Sequence, residues 1–287
     1  MADQNLKRLL DSGTFIVAPG VYDLVSLHLA NEVGFDAVYA SGYWMTASSL
    51  GLPDLGLATY TEMIECVARI AEFSNAPVIA DADTGYGGLV NLHRTVRGYE
   101  KAGVSGFLIE DQIFPKKCGH TPGRPVIPLE EMVQKIRVVL DTRTDEGFLV
   151  IARTDARTDF GLDEAIRRGC AYAEAGADLV FVEALTSEGE MEQVCREIPG
   201  KLIANIAPTG VTPELTVDRL EEIGYNAAIF PAQTAMTAMT TMEKALRHLK
   251  DTGDSRHPAL ETFDFKRACR ILGFDDYRDL QQRWEKL

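Results

Sequence analysis

Eight short runs of apolar, largely β-branched residues recur along the chain: FIVA from Phe15, AVYA from Ala37, PVIAD from Pro77, GFLIED from Gly106, FLVIAR from Phe148, LVFVE from Leu179, KLIAN from Lys201 and AAIFP from Ala227. Their apolar character is continuous rather than alternating, which marks strands buried on both faces. Between them lie segments of helical periodicity, among them TYTEMIECVARIAEF, LVNLHRTVRGYEKAG, LEEMVQKIRVVLDTR and GLDEAIRRGCAYAEAG, and several close on a glycine suited to a helix C-terminus. Strand and helix in alternation predict a parallel sheet covered by helices, and eight repeats fit a closed (β/α)8 TIM barrel, of α/β class, better than an open doubly wound sheet. The barrel is expected over residues 1–256. The one break is DTGDSRHPA, Asp251 to Ala259. Residues 257–287 read as one or two helices too short to fold alone, whose apolar side chains need the barrel rim or a neighbouring subunit to cover them.

Charge narrows the function classes. The 29 Lys and Arg against 43 Asp and Glu leave a net charge of −14, so a phosphate-rich nucleic acid or an anionic membrane would repel the protein. No apolar run reaches the length of a membrane span, and the opening MADQNLKRLLDSG lacks the features of a signal peptide, which predicts a cytoplasmic protein. The five cysteines are odd in number, scattered and never spaced CxxC, so neither a disulfide frame nor a zinc site is expected. Four of them read as small buried hydrophobes. The exception is Cys118, in the polar stretch FPKKCGHTPGRP. No strand is followed by a GxGxxG or GxxxxGK loop, and TGYGG from Thr84 lacks the lysine of a phosphate loop.

In a barrel of this kind chemistry sits at the C-terminal strand ends. Here they are polar: Ser41-Gly42-Tyr43 after strand two, Asp81-Ala82-Asp83 after three, Glu110-Asp111 after four, Arg153-Thr154-Asp155 after five, Glu183 after six and Asn205 after seven. Several carboxylates around one mouth repel one another, and a divalent cation relieves that cost. Few-ligand carboxylate sites that keep waters suit Mg²⁺, with Mn²⁺ as substitute, rather than zinc. Asp81 and Asp83 are the expected metal carboxylates, with Glu110 bound partly through water. The competing reading has these aspartates capping helices or pairing with Arg153. The long connection after strand four carries Lys116, Lys117, Cys118 and His120 and reads as an active-site lid. Its cations make Cys118 available for proton transfer or nucleophilic attack, with His120 as orienting partner.

These motifs together, KKCGH at Lys116 to His120, SLGLPDLG at Ser49 to Gly56, DADTGYG at Asp81 to Gly87, EDQ at Glu110 to Gln112 and ARTDAR at Ala152 to Arg157, resemble the isocitrate lyase and phosphoenolpyruvate mutase superfamily from about Phe15 to Leu249. The resemblance implies Mg²⁺-dependent α-oxo-acid chemistry and a homotetramer in which the last helix packs on a neighbouring barrel. It implies that Ser41, Gly42, Tyr43 and Arg153 hold the oxo-acid carboxylate, with Gly119, Glu183 and Asn205 completing the substrate site. Asp81 and Asp83 would support the metal that chelates the substrate, with Asp54 and Glu110 in the outer shell. Cys118, flanked by Lys116 and His120, would protonate the departing carbanion. Members with a KKCGH-type loop cleave C–C bonds, which favours a lyase acting on a 2-hydroxy or 2-oxo dicarboxylate.

Two departures bear on the substrate. Lyases of the short branch carry a Glu where this chain has Pro208, and methylisocitrate lyases carry an Arg after strand eight, where PAQTAMTAMTTM from Pro231 has no basic residue. Met236, Met239, Pro208 and Trp44 are therefore expected to make the distal pocket apolar, favouring an alkylmalate such as 2,3-dimethylmalate. Cleavage of methylisocitrate is the alternative and needs another cation, from the lid or Arg124. Oxaloacetate hydrolysis or decarboxylation and phosphonate mutation are the further enzyme readings, and a barrel that binds an oxo acid without turnover is the non-enzyme one.

Overall fold

A computed structural model describes residues 5–119, 121 and 123–287. Its eight strands are β1 (Ile16–Val21), β2 (Val38–Ala40), β3 (Val78–Asp81), β4 (Gly106–Glu110), β5 (Leu149–Thr154), β6 (Leu179–Val182), β7 (Ile203–Asn205) and β8 (Ala227–Phe230), one overlapping each of the eight predicted runs, with β1 and β5 running past the ends of theirs. All pair in parallel in the order β6-β5-β4-β3-β2-β1-β8-β7, and a parallel bridge between Val180 and Leu202 joins the two ends, giving the expected barrel. The helices are α1 (Asn5–Asp11), α2 (Leu24–Val33), α3 (Gly42–Leu50), α4 (Tyr60–Phe73), α5 (Leu89–Ala102), α6 (Leu129–Thr142), α7 (Ala156–Phe160), α8 (Leu162–Glu174), α9 (Glu188–Glu197), α10 (Val217–Ile223), α11 (Gln233–Thr252), α12 (Phe265–Ile271) and α13 (Phe274–Trp284). None of them is long and apolar enough to cross a membrane.

The core has two layers. Outward strand side chains such as Val38, Val78, Phe107 and Val150 pack under the helices with Leu27, Val67, Tyr99 and Ile136. Inward ones, among them Ile16, Ile79, Leu108, Ile151, Leu179 and Phe181, fill the barrel. Leu6 and Leu10 of α1 join this inner cluster, so α1 plugs the N-terminal end. The opposite end, with its bottom sealed, is left for chemistry.

The C-terminal helices form as expected but bury none of their residues. Within the chain, α12 touches α2 through the Arg267–Glu32 ion pair. Phe265 is 80% exposed and Trp284 58%. All five cysteines are half-buried rather than four fully buried, because those at Cys66, Cys170, Cys195 and Cys269 lie on helix flanks and not in the strand layer. Burial still pushes the Cys195 thiol up to about 12, so it behaves as an inert hydrophobe.

Candidate active site

A cavity of roughly 390 Å³ opens at the C-terminal strand ends. Its wall includes Ser41, Tyr43, Asp54, Asp81, Glu110, Lys116, Cys118, Gly119, Arg153, Glu183 and Asn205. Gly42 and Asp83 sit behind that wall, and His120 lies outside the described residues.

Ser41, Gly42 and Tyr43 do not prolong β2 but open α3, with extended Ser41 as its N-cap. A helix start presents unpaired amides and favours an anion. Gly42 is needed there, since a Cβ would come within 2.5 Å of Asp81 Oδ2. The Asp81 carboxylate is fixed from two other sides, accepting from the Asp83 amide at 3.0 Å and from the Tyr39 hydroxyl. Asp83 adopts a left-handed backbone, φ +47°, a strained state that non-glycine residues keep where surrounding structure holds them, often at functional sites.

Lys116 is the hub of the acids. Its buried ammonium pairs with Asp54 and, at 2.6 Å, with Asp83. Burial pushes the Asp83 carboxyl up to about 6, with Asp81 and Asp54 adding to the rise and Lys116 opposing it. Burial likewise lifts the Glu110 carboxyl well above its ordinary value, although Arg153 pulls the other way. For Lys116 burial works against the charge, but Asp83, Glu110 and Asp54 outweigh it and keep the ammonium protonated. Among the described residues, Glu110 Oε1 and Asn205 Oδ1 are buried without a hydrogen-bond partner, and such atoms are costly unless something completes them.

Arg153 is held more tightly than sequence reasoning foresaw. Its Nε and Nη2 donate to the two Asp155 oxygens at 2.9 and 2.8 Å, Nη2 lies 3.3 Å from Glu183 Oε2, and Nε lies 3.5 Å from Glu110 Oε2. Asn205 Nδ2 donates to the same Glu183 oxygen at 3.2 Å. Gly119 closes over this group, where a Cβ would meet Arg153 Nη2 at 2.4 Å. Asp155 itself is anchored through its amide, which donates to Asp111 Oδ1 at 2.9 Å, while Asp111 Oδ2 accepts from Tyr172 and Arg168. The RTD and ED triplets carried this signal, but spacing alone could not tell the metal-facing acids from those that brace an arginine.

The family model for phosphoenolpyruvate phosphomutase matches residues 6–250. The chain belongs to the phosphoenolpyruvate mutase and isocitrate lyase superfamily. It is 44% identical over 280 residues to the 2,3-dimethylmalate lyase of Eubacterium barkeri, which covers 97% of this chain and 96% of that one. The 2-methylisocitrate lyase of Aeropyrum pernix is 40% identical over 95% of this chain and 87% of its own. Among solved structures, oxaloacetate acetylhydrolase with 3,3-difluorooxalacetate superposes with a TM-score of 0.93 at 34% identity, covering 98% of this chain and 96% of that one. With named lyases among such relatives, the protein is an enzyme of the carbon–carbon lyase class.

Membership of this superfamily implies a metal cofactor, and the donor set can be tested against one. Among the described residues no three His, Cys, Asp or Glu side chains converge to enclose an ion by themselves. The wall instead offers Asp81 and the unpartnered Glu110 oxygen, with Asp83 behind. Hard oxygen donors that leave most positions to water and substrate suit Mg²⁺, so the residues fit.

The distal half of the superfamily pocket is only partly as expected. Trp44, Pro208 and Met236 line it, with Pro231 and Ala232. Met239 does not, because it falls on the outer face of α11 and is 56% exposed. Arg124 does not reach it either. Its side chain is buried behind Arg153, against Asp155 and Thr158, and cannot meet a third carboxylate. Besides Lys116, the lid cation Lys117 lines the pocket, and its Nζ donates to the Gly123 carbonyl at 3.0 Å.

Proposed function

We propose that this enzyme is a Mg²⁺-dependent, cytoplasmic lyase that cleaves an alkyl-substituted malate, of the 2,3-dimethylmalate type, to an α-oxo acid and a carboxylic acid. The observation that carries the reading is one cavity in which Cys118 shares the wall with an anion-accepting helix start, Arg153 and the buried acids Asp81 and Glu110.

In this reading the α3 N-terminus at Ser41–Tyr43 and Arg153 bind and orient the C1 carboxylate. Asp81, with Asp83, Glu110 and Asp54, would hold the metal, and the ion would stabilise negative charge on the 2-oxygen when bound. Glu110, buried and only partly paired, takes the proton of the 2-hydroxyl. The C2–C3 bond then breaks, its electron pair passing to C3 and its carboxylate. The Cys118 Sγ proton goes to C3.

The apolar contacts of Trp44, Pro208, Pro231 and Met236 support an alkyl rather than a third carboxylate in the distal pocket. A second reading, methylisocitrate cleavage, is favoured by Lys117, which could swing from Gly123 to such a carboxylate. Incubation with Mg²⁺ and a panel of alkylmalates, methylisocitrate, oxaloacetate and phosphonopyruvate, followed by mass spectrometry, tests both. Oxo-acid release from an alkylmalate is expected. Turnover of oxaloacetate alone would replace the lyase by a hydrolase or decarboxylase. Exposed Phe265, Phe274, Tyr277 and Trp284 support the homotetramer as the working form, to be checked by light scattering.

A further inference from the structure

Arg124 lies near the end of the loop that carries Lys116, Cys118 and Gly119, and no sequence motif singles it out for the reaction. Its side chain is 1% exposed. A buried guanidinium is costly unless paired, so its surroundings report its role. The Arg124 Nη1 is 3.4 Å from Asp155 Oδ1, and Asp155 is the carboxylate within ion-pair reach of it among the described residues. Nη2 donates to Thr158 Oγ1, and the backbone amide donates to Asp159 Oδ2 at 3.0 Å, tying the loop to α7. Among the described residues, Nε and Nη1 have no hydrogen-bond partner. An arginine needed only to close a loop would be expected to use its five donors more fully.

The charge on Asp155 explains the placement. Both Asp155 oxygens are committed to Arg153, so that pair alone is neutral, and Glu183 and Glu110 crowd the same guanidinium from other sides. A neutralised arginine is a poor receptor for a dianion. Arg124 behind Asp155 offsets one of the three carboxylates that crowd Arg153, and so leaves more of that guanidinium's charge for the cavity.

Resting on the oxo-acid reading above, we propose that Arg124 is a positioning residue for substrate binding. It acts through Asp155 to keep Arg153 electropositive and aligned, and it couples that state to the docked loop.

The test uses the full-length enzyme with saturating Mg²⁺ and oxalate as the dianionic probe, titrated calorimetrically. Loss of one buried positive charge behind Asp155 should weaken oxalate about tenfold or more in Arg124→Gln. Arg124→Lys keeps the charge and should stay within about threefold of wild type. Both should show KM rising more than kcat falls. A merely structural role would lower the melting temperature in both variants without separating their oxalate affinities. Wild-type affinity in a folded Arg124→Gln, or equal loss in Gln and Lys, overturns the proposal. Failure of both variants to fold overturns it too, by assigning Arg124 to the fold. Failure of the wild-type enzyme to bind oxalate would instead sink the oxo-acid reading itself.

Discussion

Metal binding to this site should release protons, and the structure sets the pH window. Asp83 is raised to about 6 from an ordinary 3.8, first by burial and then by Asp81 and Asp54, against the pull of Lys116. A divalent ion beside Asp81 favours the ionised form of its neighbours, so protonation and metal compete. If Asp83 alone couples, the apparent dissociation constant grows as 1 + 10^(6 − pH), about tenfold weaker at pH 5 than at pH 7. Glu110, also raised by burial, makes the dependence steeper. The same shift has a sign for stability. A carboxyl whose folded value is raised favours folding fully below pH 3.8 and loses that contribution as pH climbs through about 6, a difference of about 3 kcal/mol for Asp83. The metal-free enzyme should therefore lose melting temperature from pH 5 to pH 7, and Mg²⁺ should restore more of it at pH 7 than at pH 5. Calorimetric Mg²⁺ titration in buffers of different ionisation enthalpy counts the protons. An affinity constant between pH 5 and pH 8, with no proton release, would refute the reasoning.

Four substitutions probe other parts of the site. Cys118→Ser should lower kcat roughly 10²-fold while oxalate affinity in a direct titration stays near wild type, and an unchanged kcat would move the proton donor elsewhere. Gly119→Ala drives a methyl against Arg153 Nη2 and Glu183, at 2.4 and 2.8 Å, so oxalate affinity should drop at least tenfold; a wild-type affinity would show that the loop does not close over the carboxylate site. Met236→Arg places a cation on the distal wall and should narrow or reverse a preference of at least about tenfold for alkylmalate over methylisocitrate in kcat/KM. If the native enzyme already prefers methylisocitrate and Lys117→Met removes that preference, Lys117 is the missing cation.

The barrel was legible in the sequence because parallel strands buried on both faces leave uninterrupted apolar runs, and each of the eight holds a strand. α1 was not, because seven residues with two inward leucines, Leu6 and Leu10, make too short a pattern to show that they plug a barrel. The polar wall was legible from strand ends, since the fold delivers those residues to one mouth. What spacing could not show is which acid faces which cation. Asp155 looked like one more candidate of the mouth and is the brace of Arg153. Arg124 looked like a lid cation, yet the chain folds its side chain inward. Met236 and Met239 sit three residues apart on α11, a spacing that makes them neighbours on the helix surface, yet the first lines the cavity and the second is exposed.

Charge balance then dictates an order of events. Among the described residues, Asp54, Asp81, Asp83, Glu110, Asp155 and Glu183 surround the site, against Lys116, Lys117, Arg124 and Arg153, so full ionisation would leave two uncompensated negative charges. The raised Asp83 and Glu110 carboxyls answer that excess by holding protons. A dicarboxylate substrate brings two more negative charges and cannot enter such a site without opposing them, whereas a divalent cation offsets two and gives the substrate oxygens a partner. Metal and dianion should therefore bind synergistically. One added divalent charge close to the ligand should tighten oxalate by at least about 10²-fold at pH 7.5, and by linkage oxalate must tighten Mg²⁺ by the same factor. Titrating each ligand in the absence and presence of the other measures both arms. Independent binding would mean that the acids at this mouth compensate one another without the metal, and that Arg153 and the α3 N-terminus suffice for the carboxylate.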